Sequence, residues 1–143
     1  MSDRLERLRR YLRLIRRHHR PLVYAFVVLA RVRIGLSLGS YRSVQQWIER
    51  NTTGRETYDI PVHVAAWSVS NAARFVPGAL CLAQALAVRY LLLRANRECV
   101  IRIGVKSGED KPFGAHAWVL YGGECIIGGR EENLQTFNRL VDL

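Results

Sequence analysis

VPGALCLAQALAVRYLLLR, residues 76–94, is the stretch that decides the fold. Pro77 and Gly78 end the preceding helix, and the apolar residues that follow surround a new helix on nearly all sides. A helix that is apolar all round is buried, so we expect this one to be the centre of the fold. Cys81 lies in its first turn, which fixes the thiol at one end of a buried element.

Cys81 is a candidate nucleophile, and His116, 35 residues further along the chain, is a candidate base. The unpaired N–H groups and the positive dipole end at a helix N-terminus favour the thiolate form of a cysteine placed there. Residue type alone is weak evidence, because most free cysteines are small buried apolar residues and a single histidine is usually structural.

The pattern after the Cys81 helix predicts strands. We expect strands at 99–105, 115–121 and 124–128, with a polar loop at 106–112. Gly122 and Gly123 form a two-residue turn that is typical of a tight antiparallel hairpin. Helices followed by an antiparallel sheet that packs on the Cys81 helix indicate the α+β class. Such a layout can bring His116 beside Cys81.

The N-terminal part is helical and basic. The pattern predicts a helix over 2–20, a second from Pro21 to about Ile34, a loop at 35–41, and further helices at 43–51 and 61–75. Eight arginines and two acids give residues 2–20 a charge of +6. Two interpretations are open: a docking face for an acidic peptide, partner or membrane, or a solvated helix whose apolar stripe packs on the core. The docking candidates are Arg9, Arg13, Arg16 and Arg17.

Composition predicts a single domain over 1–143, with a basic helical part at 1–60 and a core at 61–143. The net charge of +10 raises nucleic acid or an anionic membrane as alternative partners. Three widely spaced cysteines without a Cys-x-x-Cys pair argue against a disulfide framework and a zinc site, so we expect a cytoplasmic protein without a metal. No secretory signal is visible, and the longest apolar run, 22–30, is shorter than the roughly 20 residues of a spanning helix.

Three motifs resemble the leader peptidase of lasso peptide biosynthesis, often called the B2 protein, which is a small transglutaminase-like (papain-type) cysteine protease. They are Cys-Leu-x-x-Ala-x-Ala from Cys81 to Ala87, Ile-Gly-Val at 103–105, and Phe-x-Ala-His-Ala-Trp-Val from Phe113 to Val119. The resemblance extends from about residue 62 to the C-terminus. It implies a transglutaminase-like core, with Cys81 as nucleophile and His116 as base and with no cofactor.

The resemblance also implies a substrate and partners. The substrate is a ribosomally made precursor peptide whose leader is removed before an ATP-dependent cyclase closes the core peptide. Residues 1–61 read as helices rather than as the winged, strand-rich recognition domain, which indicates the split form. A separate leader-recognition protein of the B1 type is then expected to present the leader.

The third catalytic residue departs from the family pattern. The resemblance implies an aspartate about a dozen residues beyond the histidine, but that position is Gly128. With Gly122-Gly123 as the turn, His116 pairs with Gly129, and strand alternation places Glu131 on the face of the imidazole. We therefore prefer Glu131 as the group that orients the histidine, with Glu132 and Asn133 behind it. A surface role for Glu131, a backbone carbonyl as orienter, and an inactive enzyme remain alternatives.

Three functions follow from these observations. The first is a leader-cleaving cysteine endopeptidase, in which the Cys81 backbone N–H and a second donor, for which Gln84 is one candidate, hold the oxyanion. The second is a transglutaminase-like amidase or acyl transferase that uses the same residues on another substrate. The third is a catalytically inactive basic module that binds nucleic acid or a membrane.

Overall fold

The computed structural model describes residues 2–108, 111–128 and 138–143. Within these ranges, five α-helices precede a four-stranded antiparallel sheet of order β3-β2-β1-β4, so the predicted α+β class is confirmed. The helices are α1 (Ser2–Arg17), α2 (His19–Leu38), α3 (Tyr41–Thr52), α4 (Val62–Ala72), which a 3₁₀ turn extends to Phe75, and α5 (Cys81–Arg94). The strands are β1 (Val100–Gly108), β2 (Lys111–Tyr121), β3 (Glu124–Ile127) and β4 (Asn138–Asp142).

Helix α5 is the centre of the core, as its sequence predicts. It packs against α2, α3 and α4 on the helical side and against β1 and β2 on the sheet side. Alanines at 83, 85 and 87 let neighbouring elements approach closely, while larger side chains fill the space between them. Its buried residues are Ala83, Ala85, Leu86, Ala87, Val88, Tyr90, Leu91 and Leu92.

The break between α1 and α2 lies at His18, earlier than the predicted boundary at Arg20. Pro21 explains the position, because its ring clashes with the carbonyl four residues earlier and it has no N–H to donate. That carbonyl belongs to Arg17, the last residue of α1. Helical hydrogen bonds continue on both sides of the break, from His18 N to Leu14 O at 2.9 Å and from Leu22 N to His18 O at 3.0 Å. A single residue, His18, therefore separates the two helices.

The predicted loop at 35–41 is wrong, since α2 continues to Leu38. Gly35 does not end the helix but allows a close crossing: a Cβ there would lie 2.8 Å from Cγ2 of Val44 in α3. Helix α3 begins two residues before its predicted start because Ser40 caps it. Ser40 Oγ accepts from Ser43 N at 3.2 Å, and Ser43 Oγ accepts from Ser40 N at 3.1 Å.

Helix α2 is long and apolar enough, by length and composition, to cross a membrane. The unbroken apolar run at 22–30 is shorter than this helix, which extends from His19 to Leu38. One side of α2 is part of the core, where Ala25, Val28, Leu29 and Val32 are buried. Helix α1 has no buried residue, so the interpretation in which its apolar stripe packs on the core is wrong.

The sheet differs from the prediction in the length of β1 and in the presence of a fourth strand. The predicted loop at 106–112 is wrong, because β1 extends to Gly108 and β2 begins at Lys111. Strand β4 was not predicted, and it pairs with the free edge of β1. Arg102 on β1 donates to both carboxylate oxygens of Asp142 on β4, at 2.8 and 3.1 Å. These bonds hold the pKa of the Asp142 carboxyl below its usual value, so the pair stays charged at neutral pH.

Candidate active site

Cys81 and His116 lie in one cleft of about 610 Å³, between the start of α5 and the sheet. The cleft is formed where the N-terminus of α5 meets the middle of β2 and the end of β3, as the sequence layout predicts. Helix α4 contributes the remaining wall. The lining residues are Ser70, Ala79, Leu80, Cys81, Gln84, Ala115, His116, Ile127 and Gly128.

Cys81 is the first residue of α5, with Leu80 at the N-cap in an extended conformation. A leucine side chain has no hydrogen-bond acceptor, so Leu80 cannot cap the N–H groups of the first turn. Gln84 braces the loop before the helix, since its Nε2 donates to the Ala79 carbonyl at 2.9 Å. The thiol thus lies at a helix N-terminus whose N–H groups are not capped by the Leu80 side chain.

The contacts of the His116 ring include a hydrogen bond and a stacking contact. Its Nε2 is hydrogen bonded to the carbonyl of Gly128, and its ring stacks on Trp118 with centroids 6.0 Å apart and an interplanar angle of 27°. A carbonyl only accepts hydrogen bonds, so Nε2 must carry the proton. In the neutral ring, Nδ1 then keeps its lone pair and is the atom that can act as a base.

Gly128 lies so close to β2 that only glycine fits. Its φ is +107°, and a Cβ would lie 2.6 Å from the Trp118 Cα and 2.7 Å from the Ala117 carbonyl oxygen. Gly128 is also the position, twelve residues after His116, at which the resemblance implies an aspartate. The chain places a backbone carbonyl at the histidine where a carboxylate was expected.

The register behind the Glu131 prediction is wrong. Tyr121 pairs with Glu124 and Leu120 with Cys125, as the Gly122-Gly123 turn requires, but Val119 pairs with Ile127. This bulge shifts the register by one residue, so the count that paired His116 with Gly129 fails. Four residues of that argument lie outside the described part of the chain, namely Gly129, Glu131, Glu132 and Asn133. A role for Glu131 therefore stays a prediction.

The other two cysteines lie elsewhere. Cys99 packs against the core just before β1, and burial raises the pKa of its thiol to about 11, which keeps it protonated and inert. Cys125 is on β3, with its Sγ 3.5 Å from the Ile127 carbonyl oxygen. Among the described residues, Cys81 is the cysteine that lines the cleft.

The four arginines predicted to dock a partner are exposed on α1 and are not among the described residues that line the cleft. Helix α1 nevertheless lies close to the cleft wall, because the Tyr11 hydroxyl donates to Asn71 Oδ1 at 3.1 Å and the neighbouring Ser70 lines the cleft. Ser70 and the carbonyl of Gly128 were missed by sequence reasoning. Ser70 has no local motif, and nothing in the sequence marks which carbonyl a histidine will meet.

A family profile described as the transglutaminase-like superfamily matches residues 4–142, nearly the whole chain. The match includes the basic helices as well as the segment that carries Cys81 and His116. Comparison with curated proteins and with solved structures gives no match.

We predict that Gly128→Ala changes the protonated nitrogen of His116. The added methyl group clashes with β2 and moves the carbonyl away, so the preference for a proton on Nε2 should be lost. In ¹⁵N NMR at a pH where the ring is neutral, the native protein should show Nε2 protonated and Nδ1 unprotonated. Gly123→Ala is the matched control, because Gly123 also has a positive φ, +84°, but has no atom within 4 Å of an added Cβ. A native ring protonated on Nδ1, or an equal change in both variants, would contradict the assignment.

Proposed function

The chain belongs to the transglutaminase-like superfamily, and we propose that it is a cysteine peptidase that removes the leader from a lasso precursor peptide. The observation that carries the proposal is the shared cleft, whose lining includes the thiol of Cys81, at the first residue of α5, and the imidazole of His116. The superfamily match is compatible with protease or acyl transferase chemistry. The choice of a lasso leader peptide rests on the resemblance of the motifs around Cys81 and His116.

The reaction would proceed through an acyl enzyme. His116 Nδ1 accepts the Cys81 proton, and the sulfur attacks the carbonyl carbon of the scissile peptide bond. The backbone N–H of Cys81 stabilises the oxyanion, and Ser70 or the second amide hydrogen of Gln84 is a candidate for the other donor. Nδ1–H then protonates the leaving amine as the C–N bond breaks. Water attacks the thioester, and the carboxylate product leaves with Cys81 restored.

Gly128 has a positioning role in this scheme. Its carbonyl accepts from Nε2–H both when the ring is neutral and when it is the imidazolium, so the ring keeps its orientation through the cycle. A carbonyl carries no formal charge, and it therefore stabilises the imidazolium less than the expected aspartate would. The chain obtains orientation of the base without a buried carboxylate.

The proposed context is the cytoplasm, with a separate leader-recognition protein that delivers the precursor and an ATP-dependent cyclase that takes the product. The arginines of α1 support a docking role, because they are exposed and because Tyr11 holds this helix next to the cleft wall. An amidase or acyl transferase acting on another substrate is the second candidate, since the same thiol and histidine serve any acyl-enzyme reaction.

We predict that Cys81→Ala abolishes precursor cleavage, and that His116→Ala lowers kcat by several orders of magnitude. Both side chains are only partly buried, so thermal unfolding should change little. Cys125→Ala is the matched control and should cleave at the native rate. Glu131→Gln should lower kcat much less than His116→Ala does, because the Gly128 carbonyl also orients the ring. Product formation measured by mass spectrometry decides: cleavage that survives in Cys81→Ala would exclude the mechanism.

We predict that Arg13→Glu/Arg17→Glu weakens association with the leader-bound partner protein. The apparent KM should rise about tenfold while kcat at saturation is kept, because the two charges lie outside the cleft. The difference should fade as salt approaches 1 M, where the Debye length is about 3 Å. Arg42→Glu/Arg50→Glu on α3 has the same change of charge and serves as the control. A variant that binds normally but loses kcat would show that α1 supports the active site instead.

A further inference from the structure

Exposed apolar side chains are concentrated on the first two helices. Of thirteen large apolar side chains exposed in the described residues, nine lie on α1 and α2. Leu5, Leu8 and Leu12 are each more than 50% exposed, and Val23 is 62% exposed. Such a concentration on one part of a surface marks an interaction site more often than a random scatter does.

These side chains form a single line, which we call the outer row. Successive members are three or four residues apart, and the average step from Leu5 to Ile34 is about 3.6 residues, the period of an α-helix. One exposed polar residue, His19, lies within it, and Ile15 and Ala30 are half-buried. The outer row consists of Leu5, Leu8, Leu12, Ile15, His19, Val23, Phe26, Ala30 and Ile34.

The side of each helix that faces away from the outer row contacts the body of the protein. On α1, the Tyr11 hydroxyl bonds to Asn71; at the junction, the His18 ring packs edge-on against Trp67 with centroids 6.0 Å apart. On α2, Ala25 and Leu29 are fully buried. Because these contacts keep the same helical phase across the break, the outer row continues from α1 to α2 on the side that the body does not cover.

Arginines border the outer row along α1. Arg9 lies four residues after Leu5, Arg16 four after Leu12, and Arg4 four before Leu8, so each is a surface neighbour of a row leucine. All three are exposed. Leucines flanked by arginines can enter the boundary between headgroups and acyl chains while the guanidinium groups reach lipid phosphates. Nucleic acid would leave the leucines unused.

The outer row extends over two helices, which favours an extended surface as its ligand. At 1.5 Å per residue it covers about 20 Å on α1, from Leu5 to the break at His18, and about 20 Å on α2, from His19 to Ile34. The inner side of α2 is held in the core, which fits a helix that lies along a surface.

We propose that the outer row of α1 and α2 binds the surface of an anionic membrane. The leucines of α1 and Val23 and Phe26 of α2 would contact the acyl-chain boundary, and the bordering arginines would contact lipid phosphates. The cleft would be held near the membrane, because α1 contacts α4 next to Ser70. This proposal does not depend on the identity of the substrate.

The test is sedimentation of the full chain with phosphatidylcholine vesicles that contain phosphatidylglycerol, and with vesicles of phosphatidylcholine alone. The native chain should bind the anionic vesicles at least tenfold more tightly. Leu5→Gln/Leu8→Gln/Leu12→Gln should lose about tenfold of that affinity, since glutamine keeps helix propensity but removes apolar contact. Leu14→Gln is the matched control, because Leu14 is 43% exposed on α1 but lies off the outer row.

None of the three row leucines is buried, so the variant should unfold at the native temperature, and vesicle binding can be compared directly. Native binding that is no tighter to anionic than to zwitterionic vesicles would overturn the proposal. So would anionic binding that the leucine variant keeps. Either result would leave an acidic protein or a nucleic acid as the ligand of the arginines.

Discussion

The burial of α5 on every side is the constraint on which the rest of the structure depends. Because helices pack on one side of it and the sheet on the other, α5 can neither rotate nor slide without opening the core. Its first residue is therefore fixed relative to β2, and the small residues at 83, 85 and 87 bring both neighbours close. The position of the thiol follows from the packing of apolar side chains that have no chemistry of their own.

The histidine depends on a second constraint, the close approach of Gly128 to β2. The bulge in β3 brings this carbonyl to His116 Nε2, and a residue with a Cβ would not fit there. Trp118 supports the ring by stacking, and it lies on the same strand two residues away. The backbone of the hairpin thus orients the base. The predicted contribution of Glu131 would add to that orientation.

Sequence reasoning succeeded where local signals determine structure. Pro77 and Gly78 mark the start of α5, and the apolar pattern of that helix predicts its burial. The predictions were wrong where a single inserted residue or a contact between distant residues determines the structure. A bulge at the end of β3 leaves no mark in the composition. Strand β4 pairs with a strand that is forty residues away in sequence, as the contact between Asp142 and Arg102 shows. At Gly35, glycine signals either a helix end or a close crossing, and only the position of Val44 distinguishes them.

The most direct test of the central claim, that Cys81 and His116 form a reactive pair, is site-resolved alkylation followed by mass spectrometry. With a small electrophile near neutral pH, Cys81 should be modified at least tenfold faster than Cys99 or Cys125, because the Cys99 thiol is kept protonated by burial and Cys125 lies outside the cleft. In His116→Ala, the Cys81 rate should fall while the other two stay unchanged. Equal rates at the three cysteines, or a Cys81 rate unaffected by His116→Ala, would contradict the account.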